Sequence, residues 1–543
     1  MLKKQEADIL FDGIGGFGRY QRFQFLILSL LSIVSIDVLY FNFISYVPDH
    51  WCKSDVHEAF QNRTTDHIKN LTIPWDYKRD QFSQCSRYSY PKSFTENHQG
   101  NHTKNESEIV KCEDWEFDDS IFQDTIVTRW KLVCDRRWMV DILPTAQSFG
   151  ILFGSFVAGM MADKYGRLLT LIIFTLLKLG SSVVSMVAPM FSVLAVARFV
   201  MGFCSPGTYT VGFILAMETT QPHHRTWMGV LISLMFAVGS MILAGFSYLV
   251  RDWRLVQLLG IVPTAFCAVT IICFLHESPR WLLQMGDIKK GVRILTKIGK
   301  VNLQPFTETT ETLFNYQKMT MKENPKKGSP KILFTSTTMR KYTFVCLFAW
   351  CSVSFIYYAL SLNANTLIGD IFLNFFFLSA VEIPANLIAL LGLRSRVFGR
   401  RYTHVIAFLV AGIACFISVP LLIVFGKSNI TTGLAILGKA GITAAFTSIY
   451  IYTTELYPTE VRSWALGLCC MAGKLGRVMA PFAGETLMRV WIPLPSLIFG
   501  SMATICSLLM LFLPETRGRV LKDTADEVEN DKSEEITTIS EDC

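Results

Sequence analysis

The sequence predicts an all-α membrane protein: twelve transmembrane helices arranged as two six-helix halves. Three observations predict it. Only 17% of the 543 residues are charged and 51% are hydrophobic, whereas a soluble chain carries about 25% charged residues. Apolar runs of about 20 residues recur along the chain, each long enough to cross a bilayer as a helix. The punctuation between runs also repeats. Gly166-Arg167 is echoed by Gly399-Arg400-Arg401, and Glu277-Ser-Pro-Arg280 by Pro514-Glu515-Thr-Arg517. Such a repeat places a solute site between the halves near the membrane midplane.

Residues 1–22 form a short head, basic near the first span and rich in glycine, with no cleavable signal peptide apparent. Span 1, Phe23 to Val47, contains Asp37 and Asn42. A carboxylate inside a span is expensive, so Asp37 is either a pathway group or a hydrogen-bonded structural one. The stretch 49–137 is polar and carries Cys52, Cys85, Cys112 and Cys134. It also holds four N-glycosylation patterns, at Asn62, Asn70, Asn101 and Asn105. Together these predict an oxidised, extracellular, glycosylated loop. Four cysteines allow three pairings, and no short Cys-x-x-Cys spacing suggests a metal. Asn429-Ile-Thr431 matches the glycan pattern too, in a loop too short to favour its use.

Span 2 is Trp138 to Met161 and span 3 is Leu168 to Ala188, joined by a tight loop with Asp163 and Gly166-Arg167. Span 4, Phe191 to Met217, contains Arg198 and is closed by Glu218, His223, His224 and Arg225. Asp163 with Arg198 or Arg225 would make a cytoplasmic charge relay. Spans 5 and 6 are Trp227 to Val250 and Leu255 to Leu275, completing an N-terminal half of 23–275. The linker 276–341 is rich in lysine and therefore cytoplasmic. Within it, Ile288 to Ile298 fits a short amphipathic helix at the membrane surface. The C-terminal half, 342–513, holds spans near Tyr342–Leu362, Asp370–Leu393, Thr403–Phe425, Thr432–Thr453, Ser463–Glu485 and Trp491–Leu513. The tail 514–543 is polar, acidic and disordered in expectation. An even span count leaves both termini cytoplasmic. The net charge of +7 reflects loop topology, not nucleic-acid binding.

The most informative span is Ser463–Glu485, because Lys474 sits near its middle. An ammonium at that depth costs about 2.5–3.5 kcal/mol, so it faces a cavity or a bundle interior. Arg462 lies about 18 Å away along the helix, too far for easy snorkelling. No P-loop, nucleophile elbow or metal-ligand cluster is found, and His223-His224 lacks further ligands, so an enzyme is disfavoured. A channel fits two echoing halves less well than a carrier does.

These residues resemble solute carrier family 22 of the major facilitator superfamily. The pieces are Val133-Cys134-Asp-Arg-Arg-Trp138, the Gly159–Arg167 loop, Glu277-Ser-Pro-Arg280-Trp281, Val381-Glu382-Ile-Pro384, Glu455-Leu-Tyr-Pro with Arg462, and Pro514-Glu515-Thr. Arg225-Thr-Trp227, Phe236-Ala-Val-Gly239, Tyr452 and Arg462-Ser463 look most like the organic cation and carnitine branch. The resemblance implies alternating access in the plasma membrane and small organic ions as substrates. It implies no cofactor; a coupling ion, Na+ or H+, is left open. It implies a monomer as the transport unit, with room for an oligomer. Where this chain has Lys474, cation carriers of the family tend to have aspartate, and anion and carnitine carriers arginine. Lysine keeps the sign of the second group without its bidentate fork. Arg396 departs from the usual acid in its loop.

The resemblance puts pathway side chains at Asp37, Tyr209, Ser233, Phe236, Trp350, Tyr357, Tyr358, Glu382, Thr447, Tyr450, Cys470 and Lys474. It puts gating groups at Asp163, Arg167, Arg198, Glu218, Arg225, Glu277, Arg280, Glu455, Arg462 and Glu515. Aromatic rings can cage an ammonium, and Trp350 and Tyr357 lie two turns apart on one helical face. Lys474 would take a carboxylate while the aromatics, with Asp37 or Glu382, take an ammonium. A Glu382–Lys474 pair would be a gate. The expected function is transport of organic cations or of zwitterions such as carnitine. The alternatives are an organic anion carrier or exchanger of the same family, or a non-transporting receptor on the carrier fold.

Overall fold

The structure, a computed structural model, describes residues 17–53, 69, 72–76, 81–89, 108–304, 331–364, 367–458, 460–517 and 527–529. Its long helices follow the apolar runs. The first half holds α1 (Arg19–Val34), α2 (Met139–Tyr165), α3 (Arg167–Val187), α4 (Phe191–Thr219), α5 (Pro222–Val250) and α6 (Leu258–Phe274). The second holds α7 (Thr337–Leu362), α8 (Ile371–Ala380 and Glu382–Arg394), α9 (Gly399–Val424), α10 (Asn429–Leu456), α11 (Arg462–Met479) and α12 (Leu494–Met510). Among the described residues, ten spans are long and apolar enough to cross a membrane. The other two of the twelve are α11, which carries Lys474 and Arg477, and α12, which is short.

Two helices are interrupted, each beside a buried carboxylate. After Val34 the first span tightens into a 3-10 turn, Ser35–Val38, that includes Asp37, and resumes as Phe41–Ile44. In α8, Pro384 has no N–H to offer the carbonyl of Ala380, and the helix breaks at Val381, next to Glu382. Broken spans at the carboxylates are where a membrane helix can turn polar backbone toward a cavity.

The stretch between α1 and α2 contains three antiparallel ribbons: β1 (His50–Cys52) with β6 (Trp115–Phe117), β2 (Trp75–Asp76) with β3 (Gln81–Phe82), and β4 (Ser86–Tyr88) with β5 (Ile109–Lys111). Of the three pairings open to the sequence, the structure selects Cys52–Cys112 and Cys85–Cys134, with Cα separations of 5.3 and 5.7 Å. Both staple the ribbons, and the second also ties β4 to the entry of α2. Asn62, Asn70, Asn101 and Asn105 lie outside the described residues. The end of the molecule bearing this stretch is called the loop end below, and the opposite end the linker end.

At the linker end the repeat is visible atom by atom. The Glu277 carboxylate accepts from the amides of Arg167 and Leu168 at 2.9–3.1 Å, capping α3. Glu515 accepts from the amides of Arg400 and Arg401 at 2.8 and 2.9 Å, capping α9. A carboxylate at a helix start satisfies orphan amides and complements the dipole. The preceding Gly166 and Gly399 sit at φ +106° and +63°, where a side chain would be strained and would meet the capping carboxylate. Arg167 then pairs with Glu218 at 3.3 Å, and Arg400 with Glu455 at 2.9 Å. Asp163 adds a 3.2 Å contact to Arg167; the matching loop of the second half has Arg396 and no acidic side chain between Arg394 and Phe398.

Two sequence expectations are corrected here. Asp163 pairs with Arg167, not with Arg198, because Arg198 sits in the second turn of α4 from the loop end. Some 20 residues, or about 30 Å of helix, separate it from Glu218. The side chain of Arg225 lies outside the described residues. The helix expected near Ile288–Ile298 forms as Ile288–Asn302, but its apolar face packs on Tyr20 and Leu283 of this chain rather than on lipid. Asn302 fastens it there, accepting from the Tyr20 amide at 2.9 Å and donating to Gln21 Oε1 at 2.9 Å.

Candidate substrate site between the halves

The two halves meet at the loop end. Helix α2 packs along α11, and α5 along the first piece of α8. Asn42 donates to the Ser361 carbonyl at 2.8 Å. Phe43 stacks on Phe372 and meets Phe375 edge-on, with centroids 5.6 and 5.0 Å apart, and Tyr248 closes on Phe372 from α5. These rings form an apolar plug above the interior.

Below the plug, α11 presents Cys470, Lys474 and Arg477 at i, i+4 and i+7, which is one helical face. Arg477 donates to the Tyr358 hydroxyl at 3.0 Å and lies 4.1 Å from that ring's centroid. Lys474 is half-buried beside Cys470 and Arg477, and no carboxylate among the described residues reaches either cation. Tyr357 and Tyr358 sit edge to face at 5.1 Å, Tyr357 meets Phe446 at 5.4 Å, and Phe446 meets Tyr450 at 5.9 Å. Tyr450 packs edge-on to Trp350 at 4.4 Å. From the other half, Tyr209 on α4 comes within electrostatic reach of both Tyr358 and Tyr450. Tyr450 keeps 43% of its surface exposed although Trp350, Tyr209 and Cys470 surround it. It therefore faces an open space between the halves.

The two carboxylates expected in the pathway are already occupied. Asp37, 2% exposed, takes Lys178 of α3 at 3.3 Å and the Ser205 hydroxyl at 3.2 Å. Arg198 is fully buried nearby, lying over Phe41 at 5.0 Å and donating to Gln257 at 2.8 Å. Glu382 takes Lys439 of α10 at 3.0 Å and the Tyr357 hydroxyl at 2.8 Å. Lys439 also donates to Ser361 and lies 3.1 Å from the Tyr357 centroid. Buried charges survive in this way only when paired and hydrogen-bonded. Glu382 thus pairs with Lys439, and the expected Glu382–Lys474 gate does not form, because Lys439 reaches the carboxylate first from the neighbouring helix.

Other expected positions scatter. Thr447 donates to Asn386, Ser233 to its own helix at Gly229, and Phe236 packs into the loop-end core away from Lys474. Arg462 donates to the Tyr457 carbonyl at 3.2 Å at the start of α11, and Arg280 sits in the short helix Pro279–Gln284 after α6. Three site residues escaped the sequence reading: Lys178, Lys439 and Arg477. Each is a cation inside an apolar span, the same signal that singled out Lys474.

Two six-helix halves around a charged and aromatic space define a membrane carrier, not an enzyme. The sugar (and other) transporter family matches residues 88–527. Solute carrier family 22 member 3 of Mus musculus is 31% identical over 501 residues, 90% of this chain and 89% of that protein. Solute carrier family 22 member 7 of Bos taurus is 31% identical over 497 residues, covering 90% and 89%. An organic cation transporter-like protein of Drosophila melanogaster is 31% identical over 495 residues, covering 89% and 85%. The inward open xylose transporter XylE from E. coli shares the fold with a TM-score of 0.61 at 14% identity, over 92% of this chain and 98% of that one. The chain belongs to the sugar (and other) transporter family and, within the major facilitator superfamily, to solute carrier family 22. It is accordingly a multi-pass membrane transporter of organic ions.

Proposed function

We propose that this carrier moves small organic anions across the plasma membrane by alternating access, with the substrate carboxylate held by Lys474 and Arg477. The observation that carries the reading is the distribution of charge. Asp37 and Glu382 are neutralised by Lys178 and Lys439, while no carboxylate among the described residues reaches Lys474 or Arg477. An organic cation entering this space would meet like charge, with no free counter-ion among the described residues. A carboxylate would meet an ammonium and a guanidinium one turn apart, the latter oriented by Tyr358. Both termini and the linker face the cytoplasm, and the stapled, glycosylated loop faces outside. The capped arginines at the linker end serve as the cytoplasmic gate, and the transport unit is a monomer.

A second reading has its own support. Tyr209, Trp350, Tyr358 and Tyr450 offer aromatic faces near the cations, and such faces attract a quaternary ammonium by about 0.5–2 kcal/mol each. A carnitine-like zwitterion would use both features. Uptake by purified protein in vesicles separates the readings. An aryl carboxylate taken up in preference to carnitine and tetraethylammonium supports the first, and carnitine preferred over both supports the second. Preference for tetraethylammonium sinks both.

A further inference from the structure

We propose a second ligand site at the loop end of the C-terminal half, built for a single alkyl chain with an anionic head. A cavity of about 100 Å³ opens there among the helices of this half, lined mostly by apolar side chains such as Leu360, Leu378, Leu434, Met488 and Phe499. None of Lys474, Arg477 and Tyr450 lines it, so it is separate from the space between the halves.

The mouth is polarised for an anion. Lys427 stands in the turn between α9 and α10 and contributes to the lining, with no acidic partner among the described residues. Desolvation pushes its ammonium below the usual lysine value, a cost that an anionic neighbour would offset. The start of α10 follows at once and also lines the cavity through Thr431. Its cap uses the Ser428 hydroxyl for the Thr431 amide and the Ser428 carbonyl for the Thr432 amide. The amides of Asn429 and Ile430 keep no acceptor among the described residues, at the positive end of a 28-residue helix. A cation and the positive end of a long helix beside an apolar cavity match a carboxylate on an alkyl chain.

The cavity runs toward the ionic cluster. Leu360 and Ala435 line it, and the next residue of α7 and the next turn of α10 carry Ser361 and Lys439. An occupant presses on α10, which carries Lys439, and on α7, whose Tyr357 and Ser361 bond to the Glu382–Lys439 pair, and so acts on transport from outside the substrate path.

The test uses the purified full chain in nanodiscs of neutral phosphatidylcholine, with dansyl-undecanoate as the fluorescent probe. Saturable binding is expected, weakened about tenfold by Lys427→Gln, retained by Lys427→Arg and abolished by Ala435→Phe, which fills the cavity. Competition by octanoate, decanoate and dodecanoate should strengthen about fourfold for each added methylene. Nanodiscs doped with lysophosphatidylserine, a membrane lipid with one chain, distinguish the source of the head group. Loss of probe binding there assigns the site to a membrane lipid, and retained binding assigns it to a free fatty acid. Because Lys427 is on the surface, its variant is expected to fold. Probe binding that is non-saturable, or identical in wild type and Lys427→Gln, overturns the proposal.

Discussion

Replacing Lys439 by methionine should cost more stability than any surface change in the protein. Its side chain is 1% exposed, that of Glu382 is 7% exposed, and their charged atoms are 3.0 Å apart. At that distance and an effective dielectric of about 20, the attraction is roughly 5.5 kcal/mol. Removing the ammonium forfeits this and leaves Glu382 with the Tyr357 hydroxyl as its partner, while also removing the cation over the Tyr357 ring. Deleting one member of a buried pair costs about 3–5 kcal/mol, because the remaining charge stays buried. Lys439→Met should therefore lower the thermal midpoint of the purified carrier sharply. Lys439→Met with Glu382→Gln should recover most of the loss, since the stranded charge is gone. Intrinsic tryptophan fluorescence during a thermal ramp in detergent, run on the wild type, both single variants and the double, reads this as a cycle. A single variant as stable as wild type, or a double no better than the sum of the singles, would refute the reasoning.

Three further outcomes follow from the same contacts. Glu515→Gln weakens charge-assisted caps on the amides of Arg400 and Arg401, and should cost about 1–3 kcal/mol, as should Glu277→Gln at the matching position; similar thermal losses in the two variants would check the repeat, and a loss at one alone would contradict it. Breaking Cys85–Cys134, which closes a separation of 49 residues, should release about 4 kcal/mol of loop constraint, seen as faster proteolysis of the loop under native conditions. His276 stacks on Tyr20, and desolvation together with nearby Lys297 lowers its pKa below 6.5. A lowered histidine stabilises the docked state above its unfolded value, and that contribution is lost as pH falls. Amide exchange in Ile288–Asn302 should quicken as pH drops through about 6, and an unchanged rate would remove His276 from the docking.

The long helices and the repeat were legible because bilayer thickness and loop punctuation act locally on the sequence. Lys474 and Asp37 were legible for the same reason: a charge inside an apolar run stands out. Lys178, Lys439 and Arg477 stand out equally, and the intramembrane-charge rule covers them without any structure. What it does not provide is the pairing. Whether Glu382 meets Lys439 or Lys474 depends on how α8, α10 and α11 rotate against one another, and no single run encodes that. The break in α8 was readable from Pro384, whereas the 3-10 turn at Asp37 contains neither proline nor glycine. The docking of Ile288–Asn302 was missed because an apolar helical face reads alike whether it covers lipid or Tyr20.

On this proposal the substrate's charge is chosen by Lys474 and Arg477 of α11, which no carboxylate among the described residues reaches. The most direct test is uptake of an aryl carboxylate and of tetraethylammonium into vesicles holding wild type, Lys474→Gln or Lys474→Asp. Carboxylate uptake by wild type is expected, with a loss of about tenfold or more in Lys474→Gln, equivalent to roughly 1.4 kcal/mol, and a shift toward tetraethylammonium in Lys474→Asp. Carboxylate uptake that is the same in all three, with the ratio to tetraethylammonium unmoved, would contradict it.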